Sequence, residues 1–187
     1  LKFIIMKKLL SIALLALSFS GNSQSNYEVF INSDPFQSLT PVQTIIQTNL
    51  GNYEVYNNSM AGLPNLFPSQ IIEPNKRGGY DLYNTNGNGL PNLTPSHTIT
   101  QNIYGDFEVF TTTKSGLPNI SASHTISPNI YGGYDVYINQ SGLPSLTPVQ
   151  TFKPNNYESY DIYTINSNGL PNLSPSKTVK STTYRGY

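Results

Sequence analysis

Cysteine and tryptophan are absent from the 187 residues, and only 11% of the chain is charged. Without cysteine there are no disulfide staples, no Cys-ligated zinc, no thiol nucleophile and no lipid-modified N-terminal Cys. Ten basic residues balance ten acidic ones, so no strong field exists to draw the chain to nucleic acid or an anionic membrane. Long hydrophobic runs are missing too. The main apolar stretch, Leu9 to Phe19, holds 11 residues, too few to span a bilayer core of about 20 helical residues.

That stretch follows the short positive region Met6-Lys7-Lys8, and the combination reads as a secretory signal peptide in the bacterial style. Gly21 and Ser23 supply small residues before a cleavage point between Ser23 and Gln24, with cleavage after Ser20 as second choice. Leu1 to Ile5 read as read-through upstream of a start at Met6. Removing residues 1–23 leaves residues 24–187 with seven basic against ten acidic groups. The expected product is a mildly acidic protein, secreted or held at the cell surface.

What the chain does have is a repeat. Six copies begin at Tyr27, Tyr53, Tyr80, Phe107, Tyr134 and Tyr160, spaced 26, 27, 27, 27 and 26 residues apart. Each opens aromatic, acidic, aliphatic, aromatic, as in Tyr80-Asp81-Leu82-Tyr83. Five copies then carry Gly-Leu-Pro, at Gly62, Gly89, Gly116, Gly142 and Gly169. A second segment follows, such as Leu93-Thr94-Pro95-Ser96-His97-Thr98-Ile99, and a turn such as Asn129-Ile130-Tyr131-Gly132-Gly133 closes the unit. Strand-forming residues bounded by Gly, Pro and Asn predict strand, loop, strand, turn in every copy. Recurrent proline and the lack of an i, i+3, i+4, i+7 apolar pattern exclude helix almost everywhere.

The recurrent aliphatic slots, exemplified by Leu82, Leu90, Leu93 and Ile99, are expected to form the core. Four such side chains cannot offset the ordering of one whole unit, so neighbouring copies must stabilise one another. Two all-β architectures satisfy this. In an elongated β-solenoid of about six 26–27-residue units, equivalent residues stack about 4.8 Å apart; in an antiparallel meander of repeated hairpins they sit about 10 Å apart. The in-line carboxylates count against the solenoid, since neighbours at 4.8 Å repel by roughly 0.9 kcal/mol even in water. The regular Leu, Pro and Asn positions suit the stacked corners of a solenoid, which is the expected fold, with the meander as alternative.

No catalytic constellation is expected. His97 and His124 occupy a slot filled elsewhere by Gln43, Gln70, Gln150 and Lys177, which reads as a solvated strand position rather than a ligand or a base. There is no Gly-x-Ser-x-Gly elbow, no glycine-rich phosphate loop before a helix, and no acid that breaks the repeat symmetry as a glycosidase pair would require. No cofactor or metal is expected. The one arrangement that could offer oxygens to Ca²⁺ is the column Glu28, Glu54, Asp81, Glu108, Asp135 and Asp161, whose ordinary reading is solvated acid or edge protection. The Asn-Leu/Ile-Ser/Thr triplets at Asn92, Asn119 and Asn172 read as repeat grammar rather than glycosylation sites. The aromatics at the fourth strand position, Tyr56, Tyr83, Phe110, Tyr137 and Tyr163, lie on the opposite face from the first and form a candidate binding surface.

A Sec-type signal, no cysteine, and short tandem Tyr/Asn/Gly/Pro-rich strand units covering the mature chain resemble secreted bacterial repeat proteins of the β-solenoid or surface-adhesin kind. That resemblance implies a structural or adhesive protein whose partners are a cell surface, a glycan or its own copies, with no membrane span in the mature chain. The alternative is a carbohydrate-binding module using the exposed tyrosines. Finally, Tyr187 reads as the first residue of a seventh copy with no polar cap before it. The expectation is a truncated reading of a longer protein, or, failing that, end-to-end pairing of an open last repeat with the first repeat of another molecule.

Overall fold

The structure is a computed structural model that describes residues 26–33, 36–156 and 159–182. Residues 1–23, expected from the sequence to be a signal peptide, and the chain end around Tyr187 lie outside the described residues. The strands are β1 (Asn26–Ser33), β2 (Phe36–Gln37), β3 (Gln43–Gln47), β4 (Tyr53–Asn57), β5 (Gln70–Pro74), β6 (Tyr80–Asn84) and β7 (His97–Gln101). They continue as β8 (Phe107–Thr111), β9 (His124–Pro128), β10 (Tyr134–Gln140), β11 (Leu143–Pro144), β12 (Gln150–Pro154), β13 (Ser159–Thr164) and β14 (Lys177–Thr182). No helix occurs among the described residues.

Every pairing among the described strands is antiparallel. Consecutive long strands pair in sequence, so each repeat contributes two strands of a meander. The expected solenoid is therefore corrected to its alternative: a second strand stands between equivalent residues. This puts the acidic side chains about 10 Å apart and relieves the repulsion that parallel stacking would have imposed. The meander also closes. β14 runs alongside β1 with Val29 opposite Val179, completing a barrel of twelve strands, while β2 and β11 form short arms on β1 and β10. Followed once around the barrel, the register accumulates a stagger equal to the number of strands, so the strands incline to the axis. The open last repeat invoked for a seventh copy or for end-to-end pairing is thus absent among the described strands: both edges are consumed by closure.

Strand alternation decides what lies inside. Each long strand sends one residue to the centre: Val29, Ile45, Val55, Ile72, Leu82, Ile99, Val109, Ile126, Val136, Phe152, Ile162 and Val179, none more than 3% exposed. Each such burial contributes roughly 1.5–3 kcal/mol. The first-position aromatics lie two residues earlier on the same face and pack against this belt, with the rings of Tyr53 and Tyr80 meeting edge-on at 6.3 Å.

The two ends of the barrel differ. At one end short turns are tied by asparagine: Asn75 Oδ1 accepts from the backbone N–H of Arg77 and Gly79, and Asn129 does the same for Tyr131 and Gly133. These are Asx turns, which account for the recurrent Asn. At the other end the first strand of each unit runs past the barrel and folds back on itself through bridges such as Thr85↔Pro91 and Thr112↔Pro118. Asn92 N–H still bonds Asn84 O at 2.9 Å, and Ser96 N–H then bonds Leu82 O at 2.7 Å. Residues 93–95 between them are extruded from the ladder as a bulge.

Candidate functional surface

The bulges and arms overturn part of the expected core. Leu82 and Ile99 are buried, but Leu90 is 62% exposed and Leu93 is 102% exposed. The pattern recurs in every unit. The bulge residues Leu39, Leu66, Leu93, Ile120, Leu146 and Leu173 are all at least 85% exposed, and the leucines of the five Gly-Leu-Pro turns, Leu63, Leu90, Leu117, Leu143 and Leu170, are 62–72% exposed. The reason is geometric. A residue in an extruded bulge has no opposite neighbour, and a residue in an arm has left the barrel behind. Each turn glycine instead leans on the preceding bulge, so that a Cβ at Gly89 would lie 3.1 Å from Phe67 and Pro68.

The same end carries almost no charge. Residues 58–69, 85–96, 141–149 and 165–176 contain no Asp, Glu, Lys or Arg, and residues 112–123 contain only Lys114. The corresponding loop of the first unit contains Asp34, which lies outside the described residues. One end of the barrel is thus a crown of aliphatic tips set in Asn, Ser, Thr, Gly and Pro, with Lys177 at the mouth it surrounds, and the other described charges sit on the wall and the far end. Sequence reasoning missed the crown. The usable signal was the position of these leucines beside Gly and Pro, out of phase with the alternation of the strands.

The candidate aromatics Tyr56, Tyr83, Phe110, Tyr137 and Tyr163 point outward from the wall, each half-buried. They alternate around the barrel with the second strands, so they do not merge into one flat platform. Burial first, and a neighbouring carboxylate second, raises the phenol pKa of Tyr83, Tyr137 and Tyr163. Tyr56 is pushed up to about 12, by burial and then by the hydrogen bond it donates to Glu54 Oε2 at 2.6 Å. Lys153 Nζ stands 4.1 Å from the ring centre of Tyr131 and 5.0 Å from that of Tyr163.

The acidic column shares that outer face. Glu54, Asp81, Glu108, Asp135 and Asp161 each sit on a different first strand with another strand between, and no three His, Asp or Glu side chains gather among the described residues. Two members are occupied by a cross-strand hydroxyl: Thr98 donates to Asp81 at 2.8 Å and Thr178 to Asp161 at 2.7 Å. The structure therefore does not bring the column together as a cation site.

The histidine slot is corrected. It lies two residues before the central belt, so it faces into the barrel mouth rather than into solvent: Gln43, Gln70 and Gln150 there are 4–8% exposed. Burial lowers the pKa of His124. His124 Nδ1 lies 3.0 Å from Ser123 Oγ, and His97 Nδ1 lies 3.1 Å from Ser96 Oγ. Each serine hydroxyl already donates to a backbone carbonyl, Ser96 to Leu82 and Ser123 to Val109, so the imidazole is the donor and the serine is not activated as a nucleophile. Ser69 and Ser176 make the same carbonyl bond in copies that lack histidine, which marks the serine as part of the strand start.

One wall groove breaks the repeat symmetry that the acids were expected to keep. Glu73 and Asp81 are direct cross-strand partners, whereas the equivalent partners of Glu54, Glu108 and Asp135 are Ile46, Thr100 and Ser127. A groove of about 370 Å³ opens beside this pair, lined also by Tyr83, Asn75, Lys76 and Arg77, and by Leu117 from the next arm. Its volume lies at the lower end of the range for small-molecule sites. The chain matches no protein-family model, and no curated protein matches it in sequence.

Proposed function

We propose that this is a secreted or cell-surface adhesive protein without catalytic activity, built as a closed six-unit ring that presents the same contact element six times. The supporting observation is the charge-poor crown with its six bulge side chains exposed to solvent. Soluble monomers rarely leave more than roughly 300–600 Å² of contiguous apolar surface open, and larger patches mark interaction sites. Repetition adds avidity, since six weak contacts held by one rigid scaffold engage together. Adsorption of the exported protein to an alkyl-coated and a hydroxyl-coated sensor surface tests this. The crown predicts retention on the alkyl surface that falls sharply when Leu66, Leu93, Leu146 and Leu173 are changed to Asn; equal retention of both proteins would defeat the reading.

A second reading rests on the wall groove beside Glu73 and Asp81. Tyr83 provides an aromatic face, and Asn75, Asp81 and Arg77 provide donors and acceptors of the kind a sugar uses. This is the carbohydrate-binding alternative, confined to one groove instead of a column of tyrosines. Glycan-array binding that is lost in Tyr83→Ala and kept in Tyr163→Ala would favour it.

A further inference from the structure

We infer that the crown is a self-association surface, on which a second copy of this chain docks crown to crown. The inference rests on the adhesive reading and names its partner. Leu39, Leu66, Leu93, Ile120, Leu146 and Leu173 are 85–102% exposed, so each presents nearly all of its side chain to solvent. Taking roughly 60–120 Å² of apolar side-chain surface for each, as the usual burial energies and area coefficient imply, the six bulge residues and five turn leucines together offer on the order of 500–1,000 Å². A standard stable interface needs about 800 Å² per partner, so the crown alone is of the size a dimer uses.

Its chemistry suits a copy of itself. In a two-fold interface the same patch meets itself, and any charge on the patch then approaches its like unless symmetry places an opposite one across from it. With four of the six loops free of charge and the other two carrying one charge each, Asp34 and Lys114, beside Lys177 in the mouth, the crown meets itself with little of that repulsion. The six units repeat one bulge for every two strands around the closed sheet, so a facing copy offers the same element in six equivalent rotations. An anionic lipid or acidic partner would be expected to meet basic residues, and the loops supply one.

Sedimentation velocity on the full exported chain tests the inference. The expected result is a concentration-dependent dimer. Because every substitution enters the interface twice, Leu93→Asn is expected to weaken dimerisation by about 100-fold or more. The fully exposed position leaves folding intact, which an unchanged thermal melt checks. Ile103→Asn with Ile130→Asn at the opposite end, where both side chains are more than 90% exposed, is expected to leave the dimer unchanged. A monomer at high concentration, or a dimer broken by the Ile103/Ile130 pair and not by Leu93→Asn, overturns the inference. If the monomeric protein still floats with zwitterionic phosphatidylcholine vesicles or adheres to the alkyl surface through the crown, self-docking falls while the adhesive reading stands. If it does neither, both fall.

Discussion

Thr98 and Asp81 face each other across β6 and β7, the threonine hydroxyl 2.8 Å from a carboxylate oxygen on the outside of the barrel. Thr98 is only 4% exposed, so its hydroxyl depends on that acceptor. Asp81→Ala is expected to destabilise the fold by about 1–3 kcal/mol, the cost of stranding a buried donor. Thr98→Val removes the stranded group, so the double variant should recover part of the loss. Urea unfolding of the four proteins measures the coupling, and strictly additive losses would show that the bond contributes nothing of its own.

Gly78 and Gly79 adjoin in one turn yet are expected to respond very differently to alanine. A Cβ on Gly79 would lie 1.9 Å from the carbonyl oxygen of Ile99, whereas one on Gly78 would meet nothing. Gly78 has φ +76°, for which alanine costs roughly 1–2 kcal/mol. Gly79→Ala must displace β7 from β6 and should lower the melting temperature far more than Gly78→Ala. Similar melting temperatures for the two variants would refute the close packing of turn and strand.

Burial holds the folded-state pKa of His124 below its ordinary value, so the native protein binds this proton less readily than the unfolded chain does. Stability contributed by the neutral imidazole is present above the unfolded pKa of about 6.5 and is lost as pH falls below it. His124→Gln, which installs the residue found in the same slot at Gln43, Gln70 and Gln150, should flatten the stability profile between neutral and mildly acidic pH. It should leave stability at neutral pH nearly unchanged. An unaltered slope would place His124 in solvent.

Tyr56 should be the late-titrating phenol of the outer wall. Its pKa is raised to about 12 by burial and by Glu54, so above pH 10 the unfolded chain loses this proton first and stability declines with rising pH. In difference spectra at high pH, Glu54→Gln is expected to shift one tyrosine toward earlier ionisation. Tyr56→Phe should remove that component from the titration. A Glu54→Gln spectrum superposable on the parent would contradict the hydrogen bond.

Much of the fold can be read from local pattern alone. The aromatic-acidic-aliphatic-aromatic run defines each first strand, and its alternation sends Leu82 inward with Tyr80 and leaves Asp81 and Tyr83 outside. The absence of helix follows from proline and glycine placement, and the Asx turns follow from Asn75 and its equivalents. The sequence also determined that units must lean on one another, because four aliphatic side chains cannot order one unit.

Only the tertiary structure decided the rest. Whether a repeated strand pair stacks in parallel or pairs as hairpins depends on hydrogen bonds between copies, to which composition is indifferent. Closure depends on how twist and stagger accumulate over twelve strands, and that sum brings Val179 opposite Val29, residues far apart in the chain. Burial of the slot shared by Gln150 and His124 follows from the barrel's mouth, since a polar residue at the right phase is carried inward with its strand. Leu93 shows the limit most plainly. It is as apolar as Leu82 and as regular in the repeat, yet it stands in water, because the three-residue bulge takes it off the ladder. Hydrophobicity drives burial only for a side chain that the backbone presents to the interior.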